Sequence, residues 1–461
     1  MSLHRQSPPP NGRAGVADRV DRLTGGRLRA GVRWILGQAL PHTVIIRAGR
    51  RGDLHGRLFA ASNDGRLPVL LEAYDALRAE GPLYRGKYAY VTVDHATLKE
   101  VLTNTDLHAG VDVGGAGGPL ARLQAWGEAA APLGPITPPS LLVTEPPDHT
   151  RYRKLVSRVF TVRAVNELRG RTEQLADELL DALVAEGAEE DPVDLVERYC
   201  ALLPVTVIAE ILGVPVEERH QVLEFGTEAA PSLDLGLGWR QFRRVEGALH
   251  QFDAWLERHI ARVQREPGDN LLSRMVTARV DGRGLDPVEL KSTAGLVLAA
   301  GFETTVNLLG NGIALLHEHP DQLALVQEQP DLWANAVDEV LRLDPPVLLT
   351  GRMAAKDTTV AGVRLGRGAV VTAALAGANR DPQVFEDPHR FDVTRANAAD
   401  HVSFSAGRHY CLGAALARME GEIGLRRLFA RYPRLRLVDG ARRRSTRILR
   451  GYEQLPAVLE G

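Results

Sequence analysis

Phe404-Ser405-Ala406-Gly407-Arg408-His409-Tyr410-Cys411-Leu412-Gly413 is the most informative decapeptide of this 461-residue chain. It carries one of only two cysteines, with glycines four residues before it and two after it. Beyond it, Leu412 to Tyr432 sets Leu416, Met419, Ile423 and Leu428 at helical spacing. Cys411 is therefore expected where a turn enters a helix. The partial positive charge of a helix N-terminus favours a thiolate there. Gly407 permits a tight turn, and Gly413 permits the backbone to approach a flat ring closely. A thiolate so placed can ligate a planar metal cofactor, and a haem iron held by Cys thiolate is primed for O–O cleavage. A buried structural cysteine before an ordinary helix is the competing reading.

A second segment sets the architecture. Asp286-Pro287-Val288-Glu289 is a helix start: Asp286 caps, Pro287 suits the first turn, and Glu289 completes a capping box. No further proline occurs before Pro320, so the predicted helix runs from Pro287 to Glu318. It would span about 48 Å, enough to cross a whole domain. Its middle is apolar nearly all round, which predicts burial. There stands Ala300-Gly301-Phe302-Glu303-Thr304-Thr305. A mid-helix glycine costs about 1 kcal/mol against alanine. Small residues followed by an acid and an alcohol suit a groove for a diatomic ligand and water, and the alcohol can bond a backbone carbonyl. Glu303 and Thr304 could relay protons. Close helix packing at Gly301 with a back-bonded Thr304 accounts for the same residues without any function. Leu296, Ala300 and Thr304 share one helix face.

The remaining chain is mainly helical. Val162 to Glu186, Pro192 to Leu212, Trp239 to Gln264 and Asn270 to Thr277 carry helix-spaced apolar residues. Strand-like runs occur only near Pro82 to Val93, where Asp94 then caps a helix, and in Val347 to Ala374. Ala109 to Pro139, rich in Gly and Pro, reads as a long mobile loop over a pocket. Pro231 to Gly238 reads as a hinge. Met1 to Gly26 reads as a disordered leader, and Leu28 to Leu58 as a basic, partly amphipathic segment that could touch a membrane surface but more readily packs on the body or forms a loose arm. The organisation expected is an N-terminal arm over 1–64, partly disordered, and one large helical domain with small peripheral sheets over 65–461.

Composition removes several classes. A net charge of −2 argues against a nucleic-acid binder. Two cysteines exclude a disulfide framework and a multi-Cys zinc site, and point to a reducing, cytoplasmic setting. No apolar run reaches the length of a membrane span. The glycines at Gly114, Gly115, Gly117 and Gly118 neither follow a strand nor open a helix, so they fail as a dinucleotide loop.

Charged residues form two further sets. Glu339 and Arg342 lie three apart on a predicted helix and can pair. His149 and Arg153 lie four apart, on one face if this segment is helical, and could neutralise the carboxylates of a cofactor.

Taken in order, these segments resemble the haem-thiolate monooxygenases of the cytochrome P450 superfamily. The resemblance rests on the F-x-x-G-x-x-x-C-x-G loop at Phe404–Gly413, the A-G-x-[DE]-T of Ala300–Thr304, the E-x-x-R of Glu339–Arg342 and the H-x-x-x-R of His149–Arg153. It covers roughly residues 67–456. Arg50-Arg51-Gly52-Asp53-Leu54, Ala230-Pro231-Ser232-Leu233-Asp234 and residues 301–313 resemble the mycobacterial family 140. Ser405 departs from the glycine common at its position.

The resemblance implies a mainly α P450 fold and haem b (iron protoporphyrin IX). Cys411 would ligate the iron. His149, Arg153, Arg352 and His409 would hold the propionates, while Ala300, Gly301, Phe404, Gly407 and Gly413 would pack on the ring. Glu303 and Thr304 would deliver protons. Glu339–Arg342 would be structural, with Arg390 or Arg395 as third partner. Leu296, Ala300, Val347, Leu348 and Tyr452 would line the pocket of a hydrophobic small molecule, alongside Ser232 to Leu237. Electrons would come from NAD(P)H through a ferredoxin reductase and an iron–sulfur ferredoxin, docking on a basic face that could include Arg151, Arg153, Lys154, Arg158, Arg408 and Arg418. O2 is the co-substrate; nucleic acid and a transmembrane anchor are not expected. A haem-based gas sensor and a Cys/His hydrolase are the alternatives from other classes. Glu303 and Thr304 speak against the sensor, and a requirement for haem would speak against the hydrolase.

Overall fold

A computed structural model describes residues 26–64, 66–110, 118–185, 191–280 and 282–460. The expected leader falls almost entirely outside these residues, as do Gly114, Gly115 and Gly117.

The predicted central helix is present from Pro287 to Glu318, 32 residues long. Asp286 accepts hydrogen bonds from the Val288 and Glu289 amides, and the Glu289 carboxylate accepts one from the Asp286 amide. This box satisfies amides that a helix start otherwise leaves unpaired. Three helices pack closely round its middle: Leu202–Leu212, Trp239–Arg265 and Ala414–Arg431. Together with Val162–Ala185 and Trp333–Leu343 they enclose the largest hydrophobic core, in which Phe302, Leu309, Ile313, Val337 and Ile423 are buried.

A five-stranded sheet lies to one side, in the order Tyr84–Arg85, Tyr90–Thr92, Val370–Ala373, Thr350–Ala354, Leu107–Ala109. Val371 pairs with Tyr90 in parallel and with Arg352 antiparallel, and Arg352 also pairs with Ala109. This register fixes Arg352 in the sheet interior. Asp94 caps His95–Thr103 by accepting from the Thr97 amide, as its sequence position predicts.

Two segments differ from expectation. Ala109 to Pro139 is not one long loop, for Pro119–Glu128 is a helix with proline in its first turn. Pro192 to Leu212 is not one helix. A two-residue strand and a π-turn, Val196–Cys200, precede the helix Leu202–Leu212. The N-terminal basic segment is helical: Arg27–Trp34 and Leu40–Gly49 run on through a π-turn at Ile35–Ala39. Its inner side binds the body. Arg33 pairs with Glu246 and donates to the Gly127 carbonyl, and the Trp34 indole donates to the Leu237 carbonyl at 2.8 Å.

Candidate active site

The cysteine loop is built by local constraints. Gly407 has φ +66°, and a Cβ there would stand 2.9 Å from the Leu102 carbonyl oxygen, so both conformation and space call for glycine. The Cys411 amide donates to the Phe404 carbonyl at 2.9 Å, closing the loop. The following helix begins at Ala414, with Gly413 at its cap, and a Cβ at Gly413 would meet nothing within 4 Å. Cys411 keeps accessible surface although protein crowds round it. Burial pushes the thiol pKa up and outweighs the Gly413 amide, Arg153 and Arg418, which pull it down. The pull of the Gly413 amide, at the helix start, is in the direction expected. Cys200, the other cysteine, is a buried core residue.

Beneath the loop lies a saturated ionic network. Glu339 and Arg342 are fully buried and paired in a bidentate fork at 2.7 and 2.8 Å. Arg342 also donates to the carbonyls of Asn379, Pro388 and Arg390, making five hydrogen bonds in all. Of the two candidates for third partner, Arg395 supplies the side chain, 3.2 Å from Glu339; Arg390 contributes only its carbonyl.

The predicted cationic rim is brought together. His149 and His409 rings are 4.5 Å apart, and Arg153 donates to the Tyr410 carbonyl. The arrangement adds an acid that the sequence reading does not include. Glu145 accepts from the Ala109 amide and pairs with Arg408 at 2.8 Å and His409 at 3.1 Å. Burial, then His409 and Arg153, pull His149 down to about 4, and its Nε2 has no partner. Arg352 is buried, bonds only to Thr350, its own Gly351 carbonyl and, at 3.5 Å, the Ser405 hydroxyl, and is pulled down to about 10 by burial.

On the central helix, both features of the packing explanation are present. A Cβ on Gly301 would stand 2.7 Å from Ile208, and Thr304 donates to the Ala300 carbonyl at 3.1 Å. Packing does not account for what the neighbouring face does. Ala300 is exposed and Leu296 and Thr304 partly so, amid a helix whose flanks are buried. Glu303 points elsewhere: it is buried against Arg444, 2.6 Å away in an ion pair too misaligned to be a hydrogen bond. Burial raises its pKa, and Arg444 offsets part of that.

Glu420, missed in the sequence reading, is fully buried with neither oxygen hydrogen-bonded. Burial pushes its carboxyl well above the usual range, with the adjacent Thr305 hydroxyl pulling the other way. Its signal was available: Leu416 and Glu420 stand four apart on the apolar face of one helix.

Not every residue proposed for the pocket joins this face. Val347 is half-buried beside Leu449. Leu348 packs in a separate cluster with Leu58 and Tyr74. Tyr452 lies in the core beneath the Arg443 guanidinium, 3.9 Å from its ring centre. Arg151 is taken up by Glu289 and Asp148, which removes it from any free basic face.

The residues present fit haem. A buried guanidinium without a carboxylate partner and an orphaned imidazole nitrogen suit anionic propionates. The free space beside Gly413 and the accessible surfaces of Cys411 and Ala300 leave room for contact with a flat ring. Fold and site thus define a class: helical haem proteins with a cysteinate ligand. The Cytochrome P450 family profile matches residues 135–439. The chain is 51% identical over 415 residues to cytochrome P450 140 of Mycobacterium tuberculosis, covering 89% of this chain and 93% of that one. It is 43% identical over 322 residues to 6-deoxyerythronolide B hydroxylase of Saccharopolyspora erythraea, covering 69% and 77% of the two chains. The crystal structure of myxobacterial CYP267B1 in complex with myristic acid superposes with a TM-score of 0.76 at 32% identity, covering 88% and 99%. The chain belongs to the cytochrome P450 family, and is a haem-thiolate monooxygenase of mainly α fold that binds haem b. Among the described residues, no helix is long and apolar enough to cross a membrane.

Proposed function

We propose that this monooxygenase inserts one oxygen atom of O2 into a lipophilic small molecule of the polyketide, sterol or fatty-acyl type. The accessible face of Leu296, Ala300 and Thr304 carries this reading, because it offers an aliphatic wall and a single hydroxyl. Relatives named for 6-deoxyerythronolide B hydroxylation, vitamin D(3) 25-hydroxylation and polyketide biosynthesis support the substrate class.

When bound, haem supplies oxygen activation. The chain's own residues do the rest. Cys411 ligates the iron as thiolate, and Arg153 and Arg418 offset the cost of its charge. Arg352, His149, Arg153 and His409 hold the propionates, with Glu145 orienting His409. The Thr304 hydroxyl would hold a proton at the pocket face, and Glu303, released from Arg444, would resupply it. Electrons come from NAD(P)H through a ferredoxin reductase and a ferredoxin, received near exposed Lys154 and the half-exposed Arg153. With both cysteines free, the cytoplasm is the compartment proposed.

The test is a spectral titration of the purified ferric protein with macrolide aglycones, sterols and fatty acids, followed by product analysis with a surrogate ferredoxin system. A saturable shift and an oxygenated product from one class are expected. Shifts only with small polar ligands would overturn the substrate assignment. Cys411→Ala is expected to lose the thiolate-type reduced carbon-monoxide spectrum; retention of that spectrum would overturn the ligand assignment.

A further inference from the structure

From Arg27 to Gly52 the sequence contains six arginines and no carboxylate. The structure divides them. Arg33 is buried with Glu246, and Arg29 lies over the Trp126 ring. Arg47, Arg50 and Arg51 are exposed at the end of the helix. With His42, Thr43 and Ile46 they line a concavity of about 460 Å³. No acidic residue lines it, and none of the three arginines has an ion-pair partner among the described residues.

The same helical run also exposes aliphatic residues: Leu28 at 41%, Ile35 at 51% and Leu40 at 53%. Pro119–Glu128, packed along Arg27–Trp34, adds Leu120 at 69% and Leu123 at 42%. Isolated exposed leucines need no explanation. Here they recur along a helix whose exposed charged groups are all cations, a pattern that suits the boundary between lipid headgroups and acyl chains.

The inner face is fixed to the loop ahead of Trp239–Arg265. Gln38 Oε1 accepts from the Gly236 and Leu237 amides at 2.7 and 3.1 Å, and its amide donates to the Asp234 carbonyl. The Asp234 carboxylate in turn accepts from the Arg447 and Ile448 amides. The helix is thus a rigid ledge rather than a free arm, and the segment Ser232 to Leu237 lies directly beneath it.

We propose that the outer face of residues 27–51 is a peripheral docking surface for an anionic lipid membrane, with Leu28, Ile35 and Leu40 entering the interface and Arg47, Arg50 and Arg51 receiving lipid phosphates. Docking in this orientation presents the loop under Gln38 to the membrane side. The inference is independent of which substrate is oxidised. An acidic protein partner fits the cations but leaves the aliphatic row unused, so lipid is the better match.

The full-length haem-loaded protein is sedimented with vesicles of phosphatidylcholine alone and of phosphatidylcholine with phosphatidylglycerol. Binding is expected only to the latter, and is expected to weaken at high salt. The triple variant R47E/R50E/R51E should bind about a hundredfold more weakly. Ile35→Ser with Leu40→Ser should lower binding while leaving its salt dependence intact. Both variants should keep the parent's reduced carbon-monoxide spectrum, which separates lost docking from lost folding. Equal binding to both vesicle types, no binding to either, or unchanged binding by the triple variant would overturn the proposal. So would thermal stabilisation by inorganic phosphate, or capture by an acidic protein, without vesicle binding.

Discussion

The two walls that face one another across the cysteine follow opposite rules. Below the loop, every polar group of the Glu339–Arg342–Arg395 network is matched, down to the carbonyls of Asn379, Pro388 and Arg390. Glu303 on the central helix is paired out of line with Arg444, and Glu420, on the helix that follows the cysteine, is buried beside the Thr305 hydroxyl with no charged partner among the described residues. Burying an unpaired carboxyl is costly, and a fold selected for stability alone would place an apolar residue there. The difference is what the proposed division requires, with stability from the matched network and proton chemistry from the unmatched carboxyls.

Breaking the saturated side should have the largest effect. Glu339→Ala leaves Arg342 buried without a counter-charge, a loss of about 3–5 kcal/mol. A large fall in the denaturation midpoint and in the yield of haem-loaded protein is expected. A variant as stable as the parent would show that the network is not what supports the loop.

The distal side should behave otherwise. Thr304→Ala removes a hydroxyl bonded only to the Ala300 carbonyl of its own helix. Stability should stay within about 1 kcal/mol, while product formed per NAD(P)H falls severalfold and peroxide rises. Full coupling in that variant would leave close packing as the whole explanation of Ala300–Thr304.

Glu420→Gln sharpens the contrast through pH. The carboxyl's folded-state pKa is raised. Between the unfolded value and the folded one only the native state holds the proton, so stability falls as pH rises through that window. The slope for one such group approaches about 1.4 kcal/mol per pH unit. Gln carries no such proton. Its stabilisation relative to the parent should therefore grow from acid toward neutral pH, as read by denaturation midpoints. A constant difference across that range would mean that the carboxylate is charged in the fold.

The sequence made the central helix legible from end to end because its signals are local: a capping box at one end and Pro320 beyond the other. The cysteine loop was legible from residue types and spacing, and the cationic rim only through the family resemblance. What stayed hidden depends on distant backbone. Arg390 and Arg395 stand in the same meander, and only the carbonyl geometry selects between their side chains. The partner of Glu303 is Arg444, far along the chain with no local mark. The helix Pro119–Glu128 was concealed by the glycines and prolines that flank it, although Pro119 itself suits a first helical turn.

Ser405 belongs to the saturated side and, like Asp387 at φ +42°, is locally strained. Its φ of +63° is a left-handed conformation that glycine adopts freely and a serine adopts at a cost of roughly 1–2 kcal/mol. The amide donates to the Val402 carbonyl at 2.9 Å, so the turn is held by backbone bonding that a substitution would preserve. The side chain contributes a contact to Arg352 at 3.5 Å, the outer limit of a hydrogen bond, and Arg352 keeps its bonds to Thr350 and Gly351 without it. Ser405→Gly relieves the strain but lets the unfolded chain gain entropy, which offsets part of the gain. A net stabilisation of under about 1 kcal/mol is expected, with haem content unchanged, measured by denaturation midpoint and haem-to-protein ratio. If Ser405→Gly instead loses haem, the 3.5 Å contact is what aims Arg352 at the cofactor, and the serine serves the site rather than the turn.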